Sequence, residues 1–144
     1  MGTRKLAAGF VIVRRDPDTC RFLLLRAFRY WDFPKGEVEP SESAWDTARR
    51  EVWEETRITR LWFPWGQTYR ETPPYHGGKV ARYYLAETDV DAVTLPVNPE
   101  LGRPEHHAYR WCTYAEAHAR LGTRVASVLS WAARVSGCID GDGS

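Results

Sequence analysis

The segment RREVWEETR, residues 49–57, sets the hardest condition on how this chain can fold. Glu51, Glu54 and Glu55 recur there at helical spacing, inside a stretch from Ser43 to about Thr56 that reads as one helix. Ser43 suits the N-cap, and Asp46 falls in the first turn, where its charge complements the helix dipole. At about 100° per residue the three carboxylates share an arc of roughly 100°. Ala44, Trp45, Ala48 and Val52 occupy the neighbouring stripe, and Glu55 falls between Ala44 and Ala48. At least one carboxylate therefore faces the body of the protein.

That placement has to be compensated. Like charges at i,i+4 cost a few tenths of a kcal/mol when exposed, and several kcal/mol more when turned inward without a partner. Arg49 and Arg50 offer one remedy, a salt-bridged helix. A hard divalent cation, Mg²⁺ or Mn²⁺, offers the other. Spacing alone leaves both readings open.

The rest of the chain supplies the setting. Its 144 residues make one domain's worth, with a formal net charge of +1 that implies no global attraction to nucleic acid or membrane. No apolar run reaches the length of a membrane span, and no export signal is recognised. Cys20, Cys112 and Cys138 are scattered and show no CxxC pairing. They are expected to be free thiols in a reducing cytoplasm, with neither a zinc site nor a disulfide framework.

Residues 5–14 and 21–27 read as strands joined by the DPDT turn. Residues 28–42, rich in Pro, Gly and charge, read as a long loop, which in a small domain is more often functional than idle. Strands are expected over 58–70, 79–87 and 107–113. A capping box at Thr113 and Glu116 opens a helix to about Leu121, and a last helix ends near Gly137. This order predicts one layered α/β or α+β domain over residues 1–137, followed by a frayed tail, 138–144.

The spacing upstream of the glutamates carries a resemblance. Gly36 is followed by Glu42, then by Arg50, Glu51, Val52, Trp53, Glu54 and Glu55, with Ile58 closing the stretch. This resembles the Nudix box, every charged position of which is filled. One position departs: Arg57 stands where the pattern has a glycine. Glycine there would supply a left-handed residue at the helix end, a conformation that costs another residue on the order of 1 kcal/mol.

The resemblance implies an α/β/α sandwich with a mixed sheet and a hydrolase for nucleoside diphosphates linked to another group, using Mg²⁺ or Mn²⁺. By motif position, Glu51, Glu54 and Glu55 would ligate the metal, with the Gly36 carbonyl as a further candidate. Arg50 would orient Glu51, and Glu42 would support the loop and helix. Glu51 is the first choice for the base that takes a proton from water, and Glu105 the second. Within the family, FPKGEVEPSE, KVARYYLAE and EHHAYRW are similar to segments of the asymmetrical diadenosine tetraphosphate hydrolases, where the counterpart of Glu105 is a metal ligand or catalytic carboxylate.

That similarity implies a nucleotide substrate and cleavage of diadenosine tetraphosphate to ATP and AMP. Lys35 and Arg26 are candidates for phosphate contact, Tyr83 for stacking on adenine, and His76 and Lys79 for reaching a long phosphate chain. His106 and His107 do not form a metal-spaced pair and are expected to face opposite ways. Alternatives are a MutT-like triphosphate pyrophosphohydrolase or an enzyme acting on the RNA 5′ end, which the Pro-Lys-Gly loop favours less. A non-catalytic nucleotide-sensing module is the least favoured, because such modules typically lose box carboxylates. Nothing in the sequence bears on oligomeric state.

Overall fold

The computed structural model describes residues 5–139. Its frame is β1 (Leu6–Arg15), a strand whose apolar run LAAGFVIV is buried on both faces. The expected turn returns the chain as β2 (Cys20–Ala27), antiparallel to the end of β1, with the Asp16 amide donating to the Thr19 carbonyl at 2.8 Å. The segment read as one long loop contains two short strands, β3 (Tyr30–Asp32) on β2 and β4 (Lys35–Glu37) on β1. Three-residue strands amid Pro and Gly carry too little periodicity to be seen in sequence. Gly9 allows the second pairing: a side chain there would meet the Pro34 carbonyl at 2.0 Å.

After α1 (Ala44–Thr56), most of the expected strand 58–70 is irregular, with a turn over 64–67. Trp62 bridges to Glu87, and only β5 (Tyr69–Glu71) is a true strand. β6 (Val80–Thr88) then runs parallel to β1 along nine residue pairs, which makes the sheet mixed. A small hairpin of β7 (Val97–Asn98) and β8 (Arg103–Pro104) is new relative to the sequence reading. β9 (Ala108–Cys112) closes on β2, and α2 (Tyr114–Arg120) and α3 (Thr123–Ser136) follow. Thr113 and Glu116 form the expected capping box.

The seven-stranded sheet lies between two cores. On one face Phe10, Leu23, Leu25 and Tyr84 pack against Ala48 and Val52 of α1. On the other, Val11, Phe22, Leu24 and Leu85 pack against Val125, Val128 and Leu129 of α3. The result is the expected α/β/α sandwich. Among the described residues no helix is long and apolar enough to cross a membrane.

Two expectations need correction. Cys20 and Cys138 are joined in a disulfide, with Cα atoms 5.7 Å apart, and only Cys112 is a free, buried thiol. A separation of 118 residues leaves no trace in local spacing; the fold alone brings the start of β2 to the end of α3. The start of the tail is also held: Cys138 is bonded and Ile139 packs against the core. Residues 140–144 of the expected tail lie outside the described residues.

Candidate active site

The glutamate segment forms a helix with both ends as its sequence requires. The Ser43 side chain accepts the Asp46 amide at 3.1 Å, and Arg57 caps the far end in the left-handed region, φ 60° and ψ 16°. Its amide donates to the Trp53 carbonyl at 2.9 Å. The arginine thus adopts the conformation for which the pattern uses glycine.

Both remedies for the clustered charge are present, on different residues. Arg50 binds Glu42 through two hydrogen bonds, 2.8 and 2.9 Å, and reaches Glu51 at 3.0 Å and Glu54 at 3.1 Å. Glu42 also accepts the Thr47 hydroxyl at 2.7 Å, and the Arg50 and Thr47 contacts pull its carboxyl down to about 2. Arg49 takes no part; its guanidinium lies 5.7 Å from the Phe63 ring centroid. Glu51 is pinned from behind as well, because Gly36 packs directly against its carboxylate. A side chain at Gly36 would meet Glu51 Cδ at 2.2 Å.

Glu55 receives none of this. It is 6% exposed, and neither carboxylate oxygen has a hydrogen-bond partner among the described residues. Burial, then the neighbouring Glu51 carboxylate, push its carboxyl well above the usual carboxylate range. Glu105 and His106 close around it, with ligand atoms of the three residues mutually within 4.8 Å. His106 Nδ1 stands 3.9 Å from Glu55 Oε1, and burial lowers the proton affinity of the imidazole. A buried carboxylate left unpaired beside two others is costly by itself and is the arrangement a divalent cation relieves.

Glu51, Glu54, Glu55, Glu105 and His106 line one cavity of about 400 Å³, whose remaining wall comes from Trp53, Arg57 and residues 95–100. His106 went unassigned in the sequence. The one usable signal was the alternation after Glu105, which lets one of two adjacent histidines point at the site; His107 faces away, against Phe28.

The other candidates separate. Lys35 lies 3.6 Å from Asp32, close enough to Glu55 and His106 to affect both electrostatically. The Arg26 guanidinium is 5.8 Å from the Trp31 ring centroid, and its Nε is buried without a partner among the described residues. Tyr83 does not fit the stacking role. It is fully buried on the α3 side, donates to Asp32 Oδ1 at 2.8 Å, and has no open ring face for a base. His76 and Lys79 line a separate depression with Lys5 and Glu37, away from the carboxylate cavity. Lys79 there is 3.7 Å from Glu37.

A mixed sheet thus lies between helices, one of which sets carboxylates into a cavity beside a Gly-bearing strand. The chain belongs to the Nudix family of hydrolases, the NUDIX domain matching residues 3–132. It is 34% identical over 117 residues to the asymmetrical bis(5′-nucleosyl)-tetraphosphatase of Caenorhabditis elegans, covering 77% of this chain and 80% of that protein. The protein of the same name from Sus scrofa is 38% identical over 124 residues, with the same coverage of 77% and 80%. Among solved structures, a binary complex of the C. elegans Ap4A hydrolase superposes with TM-score 0.77 at 29% identity, over 92% of this chain and 98% of that one. A MutT protein from Methanosarcina mazei shares the fold, with TM-score 0.65 at 24% identity over 92% and 94% of the two chains.

Proposed function

We propose that this chain is a Mg²⁺-dependent hydrolase that cleaves diadenosine tetraphosphate asymmetrically, to ATP and AMP. The observation that carries the metal site is Glu55, a buried carboxylate with no partner beside Glu105 and His106. Glu51, Glu54, Glu55 and Glu105 would hold the ion, with Gly36 backing Glu51 and His106 at the edge of the set. Carboxylate oxygens are donors suited to Mg²⁺ or Mn²⁺. Bound there, the ion supplies charge shielding for the phosphates and a polarised water.

The chain's own residues do the rest. Glu51, which Arg50 and Gly36 hold in place, would take the proton from the attacking water, with Glu105 as the second candidate. Water oxygen bonds to phosphorus, one P–O–P link breaks, and the leaving phosphate oxygen departs as an anion. Glu42 acts on Glu51 only through Arg50. Lys35, which adjoins Gly36 in the chain, is the proposed phosphate contact, with Arg26 as a second candidate.

The substrate assignment is supported by the similarity to enzymes named asymmetrical bis(5′-nucleosyl)-tetraphosphatases. With the Cys20–Cys138 disulfide present, a cytoplasmic location rests on the nucleotide substrate alone and no longer on thiol usage. The test offers the protein, with Mg²⁺, diadenosine tetraphosphate, oxidised dGTP, ADP-ribose and triphosphorylated RNA in parallel. ATP plus AMP from the first substrate should dominate; preferred turnover of any other overturns the assignment.

A further inference from the structure

Arg57 is a costly choice for its position. It holds a positive φ of 60° where glycine would be unstrained, and its guanidinium lies 3.8 Å from the Trp53 ring centroid. The ring is 49% exposed and lines the carboxylate cavity. Leu95, Pro96, Val97 and Pro99 line the same cavity, and Val97 is 60% exposed. Among the residues lining the cavity, Arg57 is the one permanent cation. An apolar, aromatic wall with a single stacked cation beside a metal-type carboxylate cluster is the surface a nucleoside with an attached phosphate fits.

A separate cationic cluster adjoins the carboxylates at Lys35, the chain neighbour of the Gly36 that packs on Glu51. Asp32 gathers Lys35 at 3.6 Å and Arg124 at 3.8 Å, and Arg124 lies 4.0 Å from the Tyr75 ring centroid. Arg26 Nε, Arg124 Nη1 and the Tyr75 hydroxyl are buried there without partners among the described residues. None of these residues lines the Trp53 cavity. The carboxylates therefore lie between the Trp53 wall and a cationic cluster that reaches them at Lys35, so a phosphate chain crossing them has the Trp53 wall at one end.

We infer that the wall formed by Trp53, Arg57 and residues 95–99 seats the second nucleoside of a dinucleoside polyphosphate, with Arg57 against its nearest phosphate. This rests on the hydrolase reading above and extends it to the choice of two-nucleoside substrates.

The test compares diadenosine tetraphosphate with adenosine 5′-tetraphosphate, which keeps the phosphate chain and lacks one nucleoside. In Trp53→Ala the ratio of kcat/KM for the first to that for the second should fall about ten-fold, mainly through KM for the dinucleotide. Trp53→Phe should recover most of the ratio. Arg57→Gly should lower the ratio about three-fold while raising Tm, since the left-handed turn then carries no side chain. A ratio within about two-fold of the unsubstituted protein's in both Trp53→Ala and Arg57→Gly overturns the inference. If the unsubstituted protein turns over other nucleotides but not diadenosine tetraphosphate, the hydrolase assignment itself falls, and the seat with it.

Discussion

Arg50 and Glu55 stand five residues apart on one helix and belong to regions that treat charge in opposite ways. Around Arg50 everything is paired: Glu42, Glu51 and Glu54 all accept from one guanidinium. Glu55 itself has no hydrogen-bond partner among the described residues, although it is the most buried of the box glutamates and has Glu51 and Glu105 beside it. A fold can hold a satisfied network for stability alone. An unsatisfied one is kept for a ligand, because without it the site only costs free energy. The salt-bridged helix and the proposed metal site are thus two halves of the same cluster.

The sharpest way to break this contrast is Glu55→Gln. It removes a ligand charge while relieving an unpaired buried carboxylate. Turnover with Mg²⁺ should fall on the order of a thousand-fold, and the metal-free protein should be no less stable than the unsubstituted one. Steady-state kinetics and thermal denaturation in EDTA check both halves; near-normal turnover would remove Glu55 from the ligand set. Arg50→Lys probes the paired side and should act differently. A lysine cannot make the two-pronged contact with Glu42 and still reach Glu51 and Glu54. We expect a loss of about ten- to a hundred-fold in kcat together with a lowered Tm. If kcat falls with Tm unchanged, Arg50 touches substrate and is not a positioning residue.

What was legible was the helix that carries both residues. The Ser43 cap, the inward turn of Glu55 and the left-handed Arg57 are decided within a few residues, where caps, period and backbone sterics operate. The contacts of Arg50 with Glu42, Glu51 and Glu54 span at most eight residues. The unpaired region needs Glu105 and His106, some fifty residues on, and no local rule marks which of two adjacent histidines turns inward. Tyr83 shows the same limit: a tyrosine in an alternating strand reads alike whether its partner is a substrate or Asp32. The Cys20–Cys138 disulfide was invisible for the same reason, being a product of tertiary closure, whereas the local β7–β8 hairpin has two-residue strands too short to show a period.

The smallest expected effect separates the two regions by pH in metal-free protein. Glu55 binds its proton more tightly folded than unfolded, so its contribution is fully present below about 4.5 and is lost as pH rises through the elevated folded value. Glu42 behaves oppositely: held down to about 2, it adds stability above the unfolded carboxylate range and loses it only as pH falls toward 2. His106, whose proton affinity is lowered, also gains stability as pH rises toward 6.5 and partly masks Glu55 below that point. Of these three, only the Glu55 contribution falls as pH rises above the unfolded carboxylate range. Tm in EDTA should therefore drift downward with pH in the unsubstituted protein, relative to Glu55→Gln measured alongside. Saturating Mg²⁺ should flatten the difference, because the ion binds the charged carboxylate and makes ionisation favourable. Parallel Tm curves for the two proteins in EDTA would mean that Glu55 finds a partner in solution, and the contrast between the two regions would no longer hold.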